Sequence, residues 1–155
     1  MALTAEADLA DPESRALADG GLQALLGFHL RMANVAMYRD YATTLSPLDL
    51  TQRQVAILSL VAANPGTPQV AIAAQLRSDR ATIMAMVDRL EARGLLTRER
   101  SKSDRRRQEL ILTPQGAATL DKARTLIAEH ERRFTSRFDP AELAALFADL
   151  KRLHA

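Results

Sequence analysis

Apolar residues recur every three to four positions over two long stretches near the ends of the chain and over shorter stretches between them. This spacing places the apolar side chains on one face of an α-helix. It predicts a long helix from about Leu17 to Thr44, three helices between Gln52 and Arg93, another from Pro114 to Phe138, and a last one after Pro140.

Capping signals mark the starts of the middle helices. Thr51 and Gln54 have the spacing of a capping box, in which each side chain bonds the backbone N–H of the other residue. Thr67 before Pro68 predicts the start of the second helix, with threonine as N-cap and proline in the first turn. Ser78 is expected to cap the third helix.

A different periodicity follows Gly94, a residue suited to the left-handed turn that ends a helix. Between Leu95 and Leu112, apolar and polar residues alternate on both sides of a polar link, which predicts two strands of a hairpin. Helix, short helix, helix and hairpin form a winged helix-turn-helix. We therefore expect a mainly α fold with a small β-hairpin wing, in which residues 50–113 are flanked by dimerisation helices at 16–45 and 114–155.

Composition narrows the class of protein. The 155 residues suit one folded domain from residue 16 onward, after a flexible acidic segment over residues 1–15. Cysteine is absent, which excludes disulfides and thiolate zinc sites. The three histidines are far apart, and neither a nucleophile motif nor a glycine-rich phosphate loop occurs. We expect no enzyme activity, metal or cofactor, and a cytoplasmic protein without a membrane partner.

Positive charge is concentrated around the hairpin. Seven of the 21 basic residues lie between Arg93 and Arg107, opposed only by Glu99 and Asp104. Such a stripe on a nearly neutral protein favours a polyanion partner, here double-stranded DNA. The alternatives are a solvated charged loop and a winged helix that contacts proteins, although a wing of the second kind would be less basic.

The third helix is expected to enter the major groove of DNA. Arg80 can bond guanine, Thr82 a base edge or a phosphate, and Ala81 and Ala85 can meet thymine methyl groups. This face has few long hydrogen-bonding side chains, so we expect DNA shape to contribute to specificity.

The hairpin tip has a different predicted role. Arg106, and next Arg105, can enter the narrow minor groove, with Asp104 orienting them. The predicted DNA-facing residues are Thr67, Gln69, Ser78, Arg80, Ala81, Thr82, Ala85, Arg89, Asp104, Arg105, Arg106 and Arg107.

The outer helices carry more apolar side chains than a winged domain of this size can bury. Pairing them with a second copy gives a homodimer with twofold symmetry. Its two recognition helices would be about 34 Å apart and would suit a pseudo-palindromic operator. The alternative is a monomer whose helices fold back on themselves.

Several motifs, with the order of the helices, resemble the MarR family of bacterial regulators. They are Asp79–Ile83, Val87–Leu96, Asp104–Arg107 and Leu112–Gly116. The resemblance covers about residues 20–150 and implies a homodimeric winged-helix transcription factor, usually a repressor released from DNA by a small ligand. At the position of Ala85 many members carry a basic or polar residue, so that base contact is not carried over.

The first helix adds a resemblance to the branch that senses aromatic-acid catabolites, including hydroxycinnamoyl-CoA thioesters. Residues 26–34 and 38–41 carry it. It implies a small anionic aromatic acid or acyl-CoA as effector, with the candidate ligand residues Phe28, His29, Arg31, Met32, Tyr38 and Arg39. Two alternatives remain open: these residues form dimer core, or the chain is a ligand-independent DNA-binding or architectural protein.

Overall fold

The structure is a computed structural model that describes residues 17–101 and 108–154. Within these ranges, residues 17–35 and 36–154 form two compact units. The described elements are α1 (Leu26–Leu45), α2 (Gln52–Ala63), α3 (Gln69–Gln75), α4 (Arg80–Ala92), β1 (Leu96–Arg100), β2 (Gln108–Leu112), α5 (Pro114–Thr135) and α6 (Pro140–His154). The predicted flexible segment 1–15 and the tip residues Asp104, Arg105, Arg106 and Arg107 lie outside the described residues.

The first unit begins differently from the sequence prediction. The predicted helix from Leu17 is wrong at its start, because α1 begins at Leu26 after a single 3-10 turn over Leu22–Ala24. Gly20 and Gly21 have φ angles of +60° and +84°, in the left-handed region that an α-helix does not use. Two glycines in succession therefore interrupt the helix.

The second unit holds one apolar core between the second half of α1, α2, α3, α4, the hairpin and α5. The apolar residues that recur at helical spacing form the buried faces of two helices, Val55, Leu58 and Val61 in α2 and Ile83, Val87 and Leu90 in α4, with Met86 only partly buried. The largest fully buried side chains are Leu45, Ile57, Leu58, Val61, Ile72, Ile83, Val87, Leu90, Leu96, Leu110 and Leu120. Burial of such side chains stabilises the fold by roughly 1.5–3 kcal/mol each before entropy is counted. In the described ranges we find no helix with the length and apolar character needed to cross a membrane.

The capping box at the start of α2 is confirmed. The N–H of Thr51 donates to Oε1 of Gln54 at 2.9 Å, and the N–H of Gln54 donates to the Thr51 hydroxyl at 3.3 Å. The predicted cap of α3 is wrong, because Pro68 occupies the N-cap position and makes no side-chain bond. Thr67 instead pairs with Leu110 of β2, whose N–H donates to the Thr67 carbonyl at 3.0 Å.

The two strands pair antiparallel, with Leu96 opposite Leu112 and Arg98 opposite Leu110. Leu96 and Leu110 are buried, so the predicted inward face of the hairpin is confirmed. Gly94 has a φ angle of +67°, as expected for the residue that ends α4. The hairpin therefore packs on the core through its apolar side chains.

The start of α5 lies directly on the entry to the hairpin. Thr113 caps α5 by accepting from the N–H of Gly116 at 2.9 Å, and its hydroxyl donates to the carbonyl of Gly94 at 2.6 Å. A Cβ at Gly116 would lie 1.8 Å from the carbonyl oxygen of Leu95. Only glycine allows this approach between the helix and the hairpin.

The last two helices agree with the sequence except at one boundary. α5 ends at Thr135 rather than at Phe138. The Asp139 carboxylate accepts from the N–H groups of Ala141 and Glu142, and the Glu142 carboxylate accepts from the N–H of Asp139. This reciprocal cap confirms the start predicted for α6.

A cluster of polar side chains ties α1 to α5 within the second unit. Nδ1 of His130, which is 2% exposed, lies 2.6 Å from Oδ2 of Asp40. Arg133 donates to the same carboxylate from Nε at 3.0 Å and from Nη2 at 2.7 Å. These bonds from Arg133, and next from His130, lower the pKa of Asp40 from 3.8 to about 2. The ring of Tyr41 meets His130 edge to face.

We expect Asp40→Asn to destabilise the fold at neutral pH, because His130 and Arg133 lose their charged partner. A carboxyl whose pKa is lowered on folding contributes stability above its unfolded pKa and loses that stability as the pH falls through the folded pKa. The difference in melting temperature between wild type and variant should therefore be largest near pH 7 and shrink between about pH 4 and pH 2.

Thermal unfolding followed by circular dichroism across this pH range measures the difference. Asp121→Asn is the matched control, since Asp121 is exposed and pairs only with the exposed Arg124 in the described structure. A gap between wild type and Asp40→Asn that stays constant with pH would show that the carboxylate is not the stabilising group.

Candidate nucleic-acid interface

The turn between α3 and α4 sets the start of the helix predicted to enter DNA. Arg77 in this turn adopts a left-handed φ of +47°, and the N–H of Ser78 donates to the carbonyl of Ala73 at 3.0 Å. The predicted cap at Ser78 is wrong, because Asp79 is the N-cap residue and its Oδ1 accepts from the N–H of Thr82 at 2.8 Å. A carboxylate at this position also complements the positive end of the helix dipole.

The side chain of Thr82 also bonds to the capping residue Asp79. Its hydroxyl donates to Oδ2 of Asp79 at 2.6 Å, and the side-chain and backbone bonds from Thr82 lower the pKa of Asp79. A phosphate oxygen only accepts hydrogen bonds, so Thr82 cannot donate to DNA phosphate while this bond is kept. The hydroxyl of Thr82 remains available only as an acceptor.

The outward face of α4 is exposed along its length. The exposed residues of this face are Arg80, Ala81, Met84, Ala85, Asp88 and Arg89. Met84 is not among the DNA-facing residues predicted from the sequence. Helical spacing places Met84 one turn after Arg80 and one turn before Asp88, so periodicity alone could have predicted its outward position.

Arg98 of β1 holds the wing to α4. Its guanidinium bonds Asp88 at 2.5 Å and also bonds Glu91, and both carboxylates lie on α4. The side chain of Arg98 is only 17% exposed. Burial lowers the pKa of this guanidinium, but the two carboxylates outweigh the effect and raise the pKa above its ordinary value.

The same guanidinium reaches α3. It donates to Oε1 of Gln69 over a long distance of 3.4 Å. The carbonyl end of the Gln69 amide therefore faces Arg98, which leaves the NH₂ group to donate elsewhere. The sequence did not predict that Asp88 and Gln69 bond to Arg98. Alternation along β1 does place Arg98 on the same face as the buried Leu96, and a cation on that face needs polar partners.

The described part of the wing ends at Ser101 and resumes at Gln108. Ser101 is buried. Arg100, the last residue of β1, is exposed. The two strands therefore meet the basic link, residues 101–107, at the same end of the hairpin.

A cavity of about 600 Å³ lies between the second half of α1, α2 and α4. It is lined by Tyr38, Tyr41, Ala42, Leu45, Ser46, Asp49, Leu50, Thr51, Gln52, Gln54, Arg89, Ala92 and Arg93. Arg93 donates to the carbonyl of Leu48 at 2.8 Å and to that of Asp49 at 2.5 Å. The end of α4 is thus bonded to the loop between α1 and α2 at the edge of the cavity.

The candidate ligand residues are distributed unevenly. Tyr38 lines this cavity, whereas Arg39 does not. Phe28, His29, Arg31 and Met32 belong to the first unit, where Nε2 of His29 lies 2.8 Å from the carbonyl of Gln23. Sequence reasoning assigned Arg89 to DNA and did not consider Arg93 for a ligand, yet both line the cavity.

The described residues contain no group of three or more side chains able to hold a metal ion.

Comparison with known proteins shows relatives over almost the whole chain. The sequence model of the MarR family matches residues 50–107. A putative transcriptional regulatory protein for the hcr operon of Thauera aromatica is 35% identical over 151 residues, covering 97% of this chain and 88% of the relative.

Solved structures show the same architecture. The transcriptional repressor CouR bound to a 23-mer DNA duplex is 39% identical, with a TM-score of 0.86 over 91% of this chain and 100% of CouR. CouR bound to p-coumaroyl-CoA is 37% identical, with a TM-score of 0.82 over 89% of this chain and 97% of CouR. The mainly helical fold with a hairpin wing is confirmed by these matches.

We expect Arg98→Met to weaken both the fold and DNA binding, because Asp88 and Glu91 lose their cation and the wing is released from α4. The free energy of unfolding should fall by about 1–2 kcal/mol. Chemical denaturation and DNA titrations measure the two effects. Arg100→Met removes a charge from an exposed position on the same strand; equal effects of both variants on unfolding and DNA binding would exclude the proposed bracing by Arg98.

Proposed function

This chain belongs to the MarR family of transcriptional regulators, and on that premise we propose that it is a homodimeric repressor released from its operator by a small aromatic acid or its CoA thioester. The family regulates transcription through DNA binding and does not catalyse reactions. The observation that carries the proposal is that one helix, α4, contributes both an exposed face that carries Arg80 and Arg89 and part of the wall of the 600 Å³ cavity.

The proposed DNA contacts follow from exposure and charge. α4 enters the major groove with Arg80, Ala81, Ala85 and Arg89 outward. Thr67, Gln69, Ser78 and Thr82 lie at the flanks, and the NH₂ group of Gln69 can donate to a phosphate there. At the wing tip, Arg106 and Arg105 contact the minor groove, with Asp104 orienting them and Arg107 beside them.

Exposed apolar side chains support a homodimer. In α6, Phe147 is 49% exposed and Leu146 and Leu153 are also exposed. In the first unit, the exposed apolar residues include Leu22, Leu25, Leu26, Leu30 and Met32. A second copy that covers these faces would remove a large apolar area from water, and the resulting twofold symmetry matches a pseudo-palindromic operator.

The cavity suits an anionic aromatic ligand. Its volume of about 600 Å³ lies within the usual range of small-molecule sites. Arg93 supplies positive charge for a carboxylate or for phosphates of coenzyme A, while Tyr38 and Tyr41 supply aromatic surface. CouR, which has been solved with p-coumaroyl-CoA, supports this choice of ligand class.

An occupant of this cavity would contact α4 directly. It can shift the position of α4 only if it binds the DNA-free conformation more tightly than the DNA-bound one. The second candidate function is a ligand-independent DNA-binding or architectural protein, which would bind without preference for a palindrome and would not respond to any effector.

We expect Arg106→Ala to weaken binding across many DNA sequences and to flatten its salt dependence. If each arginine of a dimer neutralises one phosphate, the slope of log K against log salt should decrease in magnitude by roughly 1.8. Fluorescence anisotropy titrations at several salt concentrations give the slope. Arg124→Ala, at an exposed position on α5, is the control and should leave it unchanged. An unaltered slope for Arg106→Ala would remove Arg106 from this role.

We expect p-coumaroyl-CoA to raise the melting temperature and to release the operator, whereas coenzyme A alone should do neither. Tyr38→Ala should weaken the ligand by about tenfold, or about 1.4 kcal/mol, because its ring lines the cavity. Arg39→Ala is the comparison variant, since Arg39 does not line it. Thermal shift and DNA-release titrations test both. The ligand class is wrong if no aromatic acid or CoA ester has an effect.

A further inference from the structure

The polar groups on the outward face of α4 are largely engaged within the chain. The carboxylate of Asp88 is bonded to Arg98 at 2.5 Å, and the hydroxyl of Thr82 donates to Asp79 at 2.6 Å. Over the first two turns, the outward residues that remain between Arg80 and Asp88 are Ala81, Met84 and Ala85. The middle of this surface is therefore apolar.

Met84 is the largest apolar side chain on this surface. It is 52% exposed and is not part of the apolar core that includes its neighbours Ile83 and Val87. Nothing in the described packing of the second unit accounts for a thioether side chain at this outward position. A flexible apolar side chain adapts its shape to a partner surface, so Met84 has the properties of a contact residue.

The charged residues around Met84 indicate the chemistry of the partner surface. Arg80 lies one turn before it on α4, Arg89 lies farther along the outward side, and both are exposed. An apolar strip between arginines fits the major groove, where phosphates flank the base edges. Among the bases, thymine alone presents a methyl group there, while adenine, guanine and cytosine present only donors and acceptors.

We propose that Met84, together with Ala81 and Ala85, forms an apolar reading surface that recognises the C5-methyl group of thymine and makes Met84 a specificity-determining residue. The inference rests on the proposed entry of α4 into the major groove. Neither the family match nor the relatives assign a role to Met84. In this arrangement Arg80 and Arg89 contribute affinity for DNA, and the apolar strip distinguishes thymine from the other bases.

The experiment replaces thymine by deoxyuridine, which removes only the methyl group. An operator is first selected from random duplexes with the full-length protein, and each thymine in one half-site and its symmetric partner are then replaced in turn. Wild type should lose about fourfold in affinity for each methyl that Met84 contacts, and about fifteenfold for a symmetric pair. Met84→Ala should bind the thymine operator more weakly and should lose most of this discrimination at the same positions.

Val70→Ala is the matched control, because Val70 is a similarly exposed apolar residue on α3. It should keep the full difference between thymine and deoxyuridine. The inference is overturned if wild type binds both operators equally, if Met84→Ala retains the wild-type discrimination, or if Val70→Ala loses it and Met84→Ala does not.

Two further measurements distinguish the role of Met84 from operator binding as a whole and from assembly of the protein. Selection that yields no preferred sequence would contradict the proposed function itself, whereas a selected operator without any methyl effect would contradict only the role of Met84. Sedimentation of Met84→Ala must show the same oligomeric state as wild type. A change in that state would mean that Met84 is covered by a second protein chain, which would overturn the inference.

Discussion

The guanidinium of Arg98 is the group on which the arrangement of the DNA-binding module depends. It sits on the inward side of β1 with little exposure, and a cation in that position requires charged or polar partners. Asp88 and Glu91 provide them from α4, and Gln69 provides one more from α3. One side chain therefore joins the wing and both helices of the helix-turn-helix, so the spacing between α4 and the wing is set by contacts within the protein.

This bracing also determines which polar groups remain on the outward face of α4. Asp88 would oppose phosphate if it were unpaired, and its bond to Arg98 neutralises that charge. The bond to Arg98 also occupies the Asp88 carboxylate as a hydrogen-bond acceptor. In the same way, the cap at Asp79 occupies the hydroxyl of Thr82 as a donor. What remains is an apolar strip between arginines. At the C-terminal end of α4, Arg89 and Arg93 line the cavity, so one helix borders both the cavity and the exposed outward face.

Local signals in the sequence predicted local structure well. The reciprocal caps at Thr51 and Gln54 and at Asp139 and Glu142 depend on residues three positions apart, and both form. Two predicted caps were wrong, and in both cases the next residue along the chain occupies the N-cap position. Thr67 lost its capping role because pairing with β2 holds its backbone extended, and Asp79 rather than Ser78 occupies the cap because the preceding turn positions it there.

The sequence by itself determined the order and type of the elements, the apolar face of each helix and the basic character of the wing, because periodicity, capping and charge density are properties of neighbouring residues. Only the tertiary structure decided which polar and charged side chains are paired, as with Arg98 and Asp88 or Asp40 and His130, and which residues share the cavity. These contacts join residues from 10 to 90 positions apart. Pairing energy depends on distance in space, which no local pattern in the chain encodes.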